Sequence, residues 1–476
     1  MVQASPPRRN RATAFKLAHL PHDKLLLFGY FLGLILLGGI LLSLPLAWQG
    51  TVPPLIDTWF IAVSAVCVTG LTPISITQMT FFGQTVLMVL IQLGGLGIIT
   101  VTSLLFLFPH PKLSLESRNL IKDFFVSPLE FKAGRIIQKI LGFTLILEGL
   151  GLFLVLITSR FELDFFSALF HTVSAFNNAG FSLYNQSLYA LRNYPVTLFV
   201  FMFLVVAGGL GYVVWANFYQ LAKNNLRWLI EPTGLYRKSP RPSWEGKPLK
   251  RLHPHSLLVL RTSLILLVTG FVVFYFLELV FGSFHWLAFD LWMDALMNSV
   301  MSRTAGFNYL STANLSQASL IFMITLMLIG AGPASTSGGI KVTTFALFVH
   351  FLLKGHRPEI FLSLGKEEIR RQTIQRAVLL FNRYMVVFLV FSTALILTER
   401  NNPAHLGYLP FFFEAASALG TVGLSMGVTP TLSFLGKIII MVAMFTGRVG
   451  LMAFIVWSVK DYPPLVRRSE TEVLLG

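Results

Sequence analysis

Val66-Cys-Val-Thr-Gly-Leu-Thr72 closes a short apolar stretch, residues 57–69, that cannot cross a membrane. A helix of about 13 residues is about 20 Å long and reaches roughly half-way into a bilayer. Three similar stretches occupy residues 165–177, 290–302 and 411–421. Each of the four ends in a small or β-branched residue, a glycine, a large apolar residue and a small polar residue: Thr69-Gly-Leu-Thr72, Ala179-Gly-Phe-Ser182, Ala305-Gly-Phe-Asn308 and Val422-Gly-Leu-Ser425. This self-similarity predicts a fold built from four repeats.

Longer apolar runs flank each short stretch. Eight of them hold the roughly 20 apolar residues that a spanning helix needs: residues 25–47, 82–108, 136–158, 195–218, 257–280, 318–350, 377–398 and 435–459. The 476 residues are 54% hydrophobic and only 12% charged, with a mean hydropathy of +0.70. A soluble domain averages about 25% charged residues, so an ordinary soluble protein is excluded. The single cysteine, Cys67, excludes an intrachain disulfide and a thiolate metal cluster.

Lysine and arginine are concentrated between the repeats. Of the 37 basic residues, 30 lie in the N-terminal arm, the three inter-repeat loops, the C-terminal tail or the adjoining helix ends. The positive-inside rule places these segments in the cytoplasm, so every glycine loop enters the membrane from outside. The predicted fold is an all-α membrane protein with eight transmembrane helices and four half-helices. Its four parallel span–pore helix–filter loop–span repeats are expected to form a pseudo-fourfold ring.

The predicted segments follow from these boundaries. They are the arm 1–24, repeat 1 at 25–108, a loop at 109–135, repeat 2 at 136–218, a loop at 219–256, repeat 3 at 257–350, a loop at 351–376, repeat 4 at 377–460 and the tail 461–476. One short stretch alone would favour an interfacial segment packed against the bundle. Four matched copies favour pore helices.

Four glycine loops around one axis can present backbone carbonyls to a cation. Non-helical backbone persists at membrane depth only where it is buried in protein or lines a watery path. Carbonyl oxygens can replace the water shell of potassium, and glycine permits the positive φ that turns them to one side. Arg303 is the only charged side chain in these loops. Asp57, Asp164, Asp290 and Asp294 are expected to cap half-helices, with a cation-attracting vestibule as the alternative.

The four loops together resemble the selectivity filters of the Trk/Ktr/HKT potassium transporter superfamily, and in detail those of the Ktr-type membrane subunit. The resemblance rests on Val66-Cys-Val-Thr-Gly-Leu-Thr72, Ala175-Phe-Asn-Asn-Ala-Gly-Phe-Ser182, Ser302-Arg-Thr-Ala-Gly-Phe-Asn308 and Gly420-Thr-Val-Gly-Leu-Ser425, and it extends over residues 25–460. It implies a potassium-selective pore with one central glycine per filter. Sodium-selective plant relatives have serine in the first filter, where this chain has Gly70, so potassium preference is implied. The implied ion-binding residues are Val68, Thr69, Gly70, Leu71, Asn178, Ala179, Gly180, Phe181, Thr304, Ala305, Gly306, Phe307, Thr421, Val422, Gly423 and Leu424.

The sixth span is interrupted between Leu328 and Lys341 by four glycines and a proline that do not fit a straight helix. This indicates either a packed kink or an intramembrane loop, residues 329–340, that obstructs the pore. The segment resembles the gating loop in the third repeat of the superfamily, which also carries a glycine-glycine-isoleucine-lysine run. The predicted gate residues are Gly330, Gly332, Pro333, Ser335, Thr336, Gly338, Gly339, Lys341 and Arg448.

Arg448 lies in the middle of the last span, where an unpaired guanidinium is costly. We expect it to donate hydrogen bonds to carbonyls of residues 330–337 and to set an electrostatic barrier, as the resemblance also implies. For Lys341, a structural bond to helix-end carbonyls and a role in the gate both remain open.

Gly94-Gly-Leu-Gly97 and Gly208-Gly-Leu-Gly211 lie inside apolar spans, so they predict close helix packing and not a dinucleotide site.

The leading hypothesis is a potassium uptake pore, with a sodium- or proton-coupled symporter and a non-conducting scaffold as alternatives. Parallel repeats favour a pore over an alternating-access carrier, which typically has inverted repeats. The chain carries no P-loop, zinc-protease or serine-nucleophile motif, so an enzyme is not expected. Potassium is the expected substrate, sodium a candidate activator, and no cofactor is expected in this chain.

The Ktr resemblance also implies partners. It implies a homodimer of this chain above a ring of cytoplasmic nucleotide-binding regulatory subunits, so that nucleotide binds only the partner. Membrane lipid is an expected partner and nucleic acid is not. The expected location is the plasma or inner membrane, with multiple spans and both termini in the cytoplasm.

Overall fold

The computed structural model describes residues 22–107, 133–230, 252–282, 289–309, 311–354, 363–364, 367–369, 371–400, 402 and 407–449. Most of the expected N-terminal arm and of the loop 109–135 lies outside the described residues. The same holds for residues 231–251 of the loop 219–256, for residues 355–362, 365–366 and 370 of the loop 351–376, for the tail 461–476 and for residues 450–459 of the eighth span.

The described residues are mostly helical. Fourteen α-helices are present among them: α1 (His22–Leu42), α2 (Leu55–Val66), α3 (Phe81–Leu107), α4 (Ala133–Thr158), α5 (Phe165–Phe176), α6 (Pro195–Leu210), α7 (Tyr212–Ile230), α8 (Pro254–Phe281), α9 (Phe289–Met301), α10 (Gln317–Leu328), α11 (Val342–Lys354), α12 (Arg371–Thr398), α13 (Tyr408–Gly420) and α14 (Phe434–Val449). A two-residue antiparallel pair, β1 (Ser363–Leu364) with β2 (Glu367–Glu368), lies in the loop between α11 and α12.

Helices α2, α5, α9 and α13 are the four half-helices, with 12 or 13 residues each. Contacts between consecutive repeats run in a closed order. Helix α3 packs on α4 and α5, α6 on α9, and α10 on α13, while α14 packs on α2 and so brings the last repeat against the first. Each half-helix therefore packs against a helix of a neighbouring repeat.

Long apolar helices surround this arrangement. Among the described residues, Gln138–Thr158, Pro254–Phe281 and Thr373–Thr398 are each long and apolar enough to cross a membrane. Helix α8 exposes large apolar side chains such as Leu264, Ile265 and Phe276 on its outer face. A broad exposed apolar face on a helix with so few charges indicates contact with lipid. These features are those of a membrane protein.

The fourth span differs from the expectation of one helix over 195–218. It breaks at Gly211, where α6 and α7 meet at 98°, and α7 continues to Ile230. The first part of the loop expected at 219–256 is therefore helical. Gly211 has a φ of +86°, and a Cβ there would lie 2.3 Å from the carbonyl oxygen of Pro333. The bend therefore depends on close contact between Gly211 and a residue far away in the sequence.

Glycines in the second spans pack against the C-terminal ends of half-helices, in agreement with the packing role expected for two of them. A Cβ at these positions would overlap a carbonyl oxygen at the end of a half-helix, at 2.2 Å for Gly94 with Val66, 1.8 Å for Gly208 with Phe176 and 2.0 Å for Gly447 with Leu419. Backbone contact this close requires glycine. It brings each of these half-helices directly beside a span of its own repeat.

Candidate functional site

Each half-helix is followed by a loop in which two residues have positive φ. We call these loops filter loops 1 to 4, residues 68–71, 178–181, 304–307 and 421–424. The glycines have φ values of +98° (Gly70), +71° (Gly180), +73° (Gly306) and +94° (Gly423). The residues two positions earlier also have positive φ, namely Val68, Asn178, Thr304 and Thr421. Because non-glycine residues rarely adopt this conformation, its recurrence at matched positions shows that the four loops share one backbone path.

Backbone amides in the filter loops bond back to the half-helices. In filter loops 1, 2 and 4, the residue before the glycine donates its backbone amide to the carbonyl of a serine five residues earlier. The distance is 2.8 Å in each case: Thr69 to Ser64, Ala179 to Ser174 and Val422 to Ser417. In filter loop 3 the amide of Gly306 donates to the Met301 carbonyl at 3.3 Å. The hydroxyls of Ser64 and Ser417 also accept from the glycine amides of their loops, at 3.1 and 3.0 Å. These bonds hold the amides toward the half-helix.

The four filter loops contact one another in cyclic order. A Cβ added to each glycine would meet the carbonyl oxygen of the residue before the glycine in a neighbouring loop: Gly70 with Ala179 at 2.4 Å, Gly180 with Ala305 at 2.7 Å, Gly306 with Val422 at 2.4 Å and Gly423 with Thr69 at 2.1 Å. The fourth contact returns to the first loop. Glycine is therefore required twice, by its positive φ and by the adjacent carbonyl.

The carbonyls in this ring accept no hydrogen bond from any donor in the described part of the chain. They belong to Thr69, Ala179, Ala305 and Val422, whose side chains are all buried. The large side chains that follow the glycines are buried as well: Leu71, Phe181, Phe307 and Leu424. Main-chain oxygen is thus the ligand atom that all four loops have in common.

The sixth span is divided by a non-helical segment. Helix α10 ends at Leu328 and α11 begins at Val342, and we call residues 329–341 the interrupting loop. Its two ends are held together by bonds from the Gly330 amide to the Ile340 carbonyl at 2.8 Å and from the Val342 amide to the Ala331 carbonyl at 3.0 Å. Most of the loop, including Ser335 and Thr336, is buried.

The interrupting loop contacts two filter loops. The amide of Gly338 donates to the Thr421 hydroxyl at 3.1 Å, and the side chains of Asn178 and Ser337 lie 2.7 Å apart. Lys341 donates to the Ser337 carbonyl at 2.6 Å, so it bonds within the loop itself. The predicted gate residues and the predicted filter residues are therefore neighbours.

Arg448 joins the interrupting loop to a distant helix. Its guanidinium is 2% exposed and donates to the Thr336 carbonyl, which lies in the range expected from the sequence. It also donates to the carbonyls of Gly94 at 2.7 Å and Gly95 at 3.1 Å, in the middle of α3. The sequence predicted the first partner but not the others, because a helical carbonyl is ordinarily bonded within its own helix.

Of the four aspartates expected to cap half-helices, Asp164 does so for α5, by accepting from the Phe166 amide at 3.0 Å. The capping expectation was wrong for two of the others. Asp57 forms an ion pair with Lys437 at 2.5 Å, which joins α2 to α14, and Asp290 accepts from the Tyr309 hydroxyl at 2.6 Å. Both lie inside the first turn and not at the capping position, where a side chain reaches the free amides.

A buried polar cluster beside filter loop 2 was missed. The Asn177 amide group donates to the Gln92 side chain at 2.7 Å and to Glu148 at 3.1 Å, and Gln92 donates to the same carboxyl at 3.2 Å. The only signal in the sequence was the presence of a glutamate within an apolar span, which indicates a partner but does not identify it. The cluster fixes the residue immediately before Asn178 to helices α3 and α4.

Comparisons with known proteins show which family and which fold this chain is similar to. Residues 36–464 match the TrkH family, which is described as a cation transport protein. The chain is 32% identical to the Ktr system potassium uptake protein B of Bacillus subtilis (strain 168), over 95% of this chain and 96% of that protein. It is 33% identical to the potassium/sodium uptake protein NtpJ of Enterococcus hirae, over 91% of each chain. The crystal structure of the potassium transporter TrkH from Vibrio parahaemolyticus has the same fold, with a TM-score of 0.69 at 18% identity, covering 94% of this chain and 87% of that one.

Proposed function

The chain belongs to the TrkH family of cation transport proteins, within the Trk/Ktr potassium uptake transporters, and from this membership we propose that it conducts potassium into the cell through the four filter loops. The observation that carries the proposal is the cyclic contact of each filter glycine with a carbonyl of another filter loop. Unbonded carbonyls around one axis supply the oxygen ligands that replace the hydration shell of potassium. The C-terminus of a half-helix adjoins each loop and adds a negative dipole end.

We further propose that the interrupting loop and Arg448 form the gate. The loop is bonded to filter loops 2 and 4, so it lies next to the ion path that these loops would form. The Arg448 guanidinium places a buried positive charge beside the interrupting loop, where it donates to the Thr336 carbonyl. A cation leaving the filter would meet both the loop and this charge. Lys341, which bonds the Ser337 carbonyl, stabilises the loop in this arrangement.

A sodium- or proton-coupled potassium symporter is the second candidate. It is supported by the name of one relative, the potassium/sodium uptake protein of Enterococcus hirae. The two functions differ in what drives accumulation, because a pore moves potassium only down its electrochemical gradient, whereas a symporter uses the gradient of a second ion.

We therefore expect potassium uptake by the purified chain in liposomes to follow the potassium gradient and the membrane potential alone. Radioactive rubidium or potassium uptake is measured with and without an inward sodium gradient, and with and without an inward proton gradient, at fixed potential. Uptake against a potassium gradient that requires either ion would assign the symporter. Protein-free liposomes and the Gly70→Ser variant serve as controls.

Regulation is proposed to come from a separate subunit. Two relatives are named as components of a Ktr system, which implies more than one component. We propose a homodimer of this chain, with both termini in the cytoplasm, on a ring of nucleotide-binding subunits. An open potassium pore would dissipate the ion gradient, so control by such a partner has a physical purpose. The basic loops offer it a docking face of positive charge.

Nucleotide is accordingly expected to change potassium flux only when the partner is present. Liposomes carrying the chain alone, and liposomes carrying the chain with a co-purified regulatory subunit, are assayed with ATP, with ADP and without nucleotide. The expected result is a difference between ATP and ADP in the second preparation and none in the first. A strong nucleotide response of the chain alone would contradict the proposal.

A further inference from the structure

Two half-helices carry a hydrogen-bond acceptor at the same position, nine residues before the filter glycine. These residues are His171 in α5 and Glu414 in α13, and their side chains are 1% and 0% exposed. Each faces a serine two residues after the glycine of its own loop, Ser182 or Ser425. Neither acceptor takes part in the carbonyl ring or in the gate described above.

In filter loop 2 the bond direction follows from the neighbours of His171. Its Nδ1 lies 2.7 Å from the Ser167 carbonyl, which can only accept, so Nδ1 carries the proton. Its Nε2 lies 3.3 Å from the Leu183 amide, which can only donate, so Nε2 is an acceptor. The Ser182 hydroxyl, 2.9 Å from Nε2, therefore donates to the ring, and it accepts from the Tyr184 amide at 3.1 Å.

Filter loop 4 repeats this pattern with a different acceptor. The Ser425 hydroxyl donates to a carboxyl oxygen of Glu414 at 2.9 Å and accepts from the Gly427 amide at 3.0 Å. The second carboxyl oxygen accepts from the Thr429 hydroxyl. In both loops a buried acceptor on the half-helix holds a serine hydroxyl, and that hydroxyl holds the amide four residues after the glycine. The outer limb of the loop is thereby tied to the helix behind it.

Filter loops 1 and 3 lack this connection. The residues nine positions before their glycines are Ile61 and Met297, which offer no comparable acceptor, and the residues two positions after are Thr72 and Asn308. Because the loops follow one another in cyclic order, loops 2 and 4 are opposite each other across the ring. The acceptor and the serine thus occur together in two opposite loops and are absent together from the other two.

We propose that the pairs His171–Ser182 and Glu414–Ser425, which we call the outer latches, are positioning elements that set discrimination between potassium and sodium. The proposal rests on the proposed function of the filter loops. Selection by a carbonyl ring depends on the number and spacing of oxygens that meet the ion. A latch fixes the chain immediately after the glycine and so limits how far its loop can move inward to coordinate a smaller ion.

The test uses the full-length chain in liposomes and measures both the total potassium flux and the potassium-to-sodium flux ratio. Glu414→Leu and Ser425→Ala each remove one end of a latch, and we expect each to lower the ratio about threefold to tenfold, which corresponds to loss of one buried hydrogen bond. Glu414→Gln keeps an amide oxygen that can accept from Ser425, so its ratio should stay within about twofold of wild type. Ser182→Ala tests the second latch with the smallest change in volume.

The double variant Glu414→Leu/Ser425→Ala should be no less selective than the poorer of the two single variants, because both remove the same interaction. Glu399→Gln is the matched control. Glu399 is a buried carboxyl of the same repeat that accepts from the Ser433 amide at the start of α14 and does not contact a filter loop. Its ratio should remain that of wild type.

Wild-type ratios in both Ser425→Ala and Ser182→Ala would overturn the proposal. So would a loss in Glu414→Gln as large as that in Glu414→Leu, since the effect would then come from the charge of the carboxyl and not from the latch. If the wild-type chain itself moves sodium as fast as potassium, the proposed function of the filter and the latch proposal both fail. A selective wild-type chain with unchanged serine variants overturns the latch proposal alone. Thermal stability of each variant is measured alongside the flux, and the paired serine variants keep the test decisive if Glu414→Leu does not fold.

Discussion

Replacing Gly70 with serine is expected to remove most of the discrimination between potassium and sodium. Gly70 has a φ of +98°, and a Cβ at this position would lie 2.4 Å from the Ala179 carbonyl oxygen. Real Cβ atoms do not approach oxygen so closely, so filter loops 1 and 2 must separate. The ring then loses the spacing of its oxygens. We expect the potassium-to-sodium flux ratio to fall at least about tenfold, or about 1.4 kcal/mol of differential stabilisation.

Serine variants of two other glycines distinguish backbone strain from the close carbonyl contact as the cause of this loss. Gly50 has nearly the same φ, +97°, but a Cβ there meets nothing within 4 Å, so Gly50→Ser introduces the backbone strain without the close approach. Gly149, in α4, has ordinary φ and also has open space around it. Both control variants should keep the wild-type ratio in liposomes. An unchanged ratio in Gly70→Ser, with the protein folded, would contradict the placement of the filter.

The positions of the four glycine loops could be predicted because their conformational requirements are local. A glycine with positive φ after a short apolar helix leaves a pattern of four residues, and that pattern recurs around Gly70, Gly180, Gly306 and Gly423. The break between Leu328 and Val342 could be predicted for the same reason, since glycine and proline disfavour a helix wherever they occur.

Other features depend on contacts that no local pattern contains. The bend at Gly211 accompanies close contact with Pro333. In the sequence, a single glycine within an apolar run predicts only close helix packing. The carbonyls of Gly94 and Gly95 that bond Arg448 are more than 350 residues away in sequence. The outer latches left a signal that a comparison between repeats can find. An acceptor nine residues before the glycine occurs together with serine two residues after it, in repeats 2 and 4.

Replacing Arg448 with alanine is expected to raise potassium flux through the chain in the absence of a partner. The guanidinium joins the Thr336 carbonyl of the interrupting loop to the Gly94 and Gly95 carbonyls of α3. Hydrogen bonds to a charged group contribute about 1.5–3 kcal/mol each. Losing even one would shift the equilibrium between closed and open loop by roughly tenfold or more. Removal of a buried positive charge also lowers the barrier to a cation, so both consequences act in the same direction.

Three further variants distinguish the lost hydrogen bonds from the lost charge. Arg448→Lys keeps the charge, but a single ammonium does not reproduce the planar fork that reaches carbonyls of two elements. If the hydrogen bonds hold the loop closed, potassium flux through Arg448→Lys should lie between that of wild type and that of Arg448→Ala. Deletion of Ala334 and Ser335 shortens the interrupting loop while the Arg448 side chain is retained, and it should also raise the potassium flux. As a control, Arg400→Ala removes an exposed arginine after α12 and should leave the potassium flux at the wild-type level.

Flux is measured as potassium efflux from liposomes, together with the potassium-to-sodium ratio. A gate variant should raise the flux and leave the ratio near wild type, because the carbonyl ring is formed by residues other than those changed. This separates it from a filter variant such as Gly70→Ser, which should lower the ratio. Wild-type flux in both Arg448→Ala and the shortened loop, with melting temperatures that show intact folding, would remove the gate assignment. The carbonyl ring would then be the only barrier to potassium among the elements described, and control by a partner would have to act on the filter loops themselves.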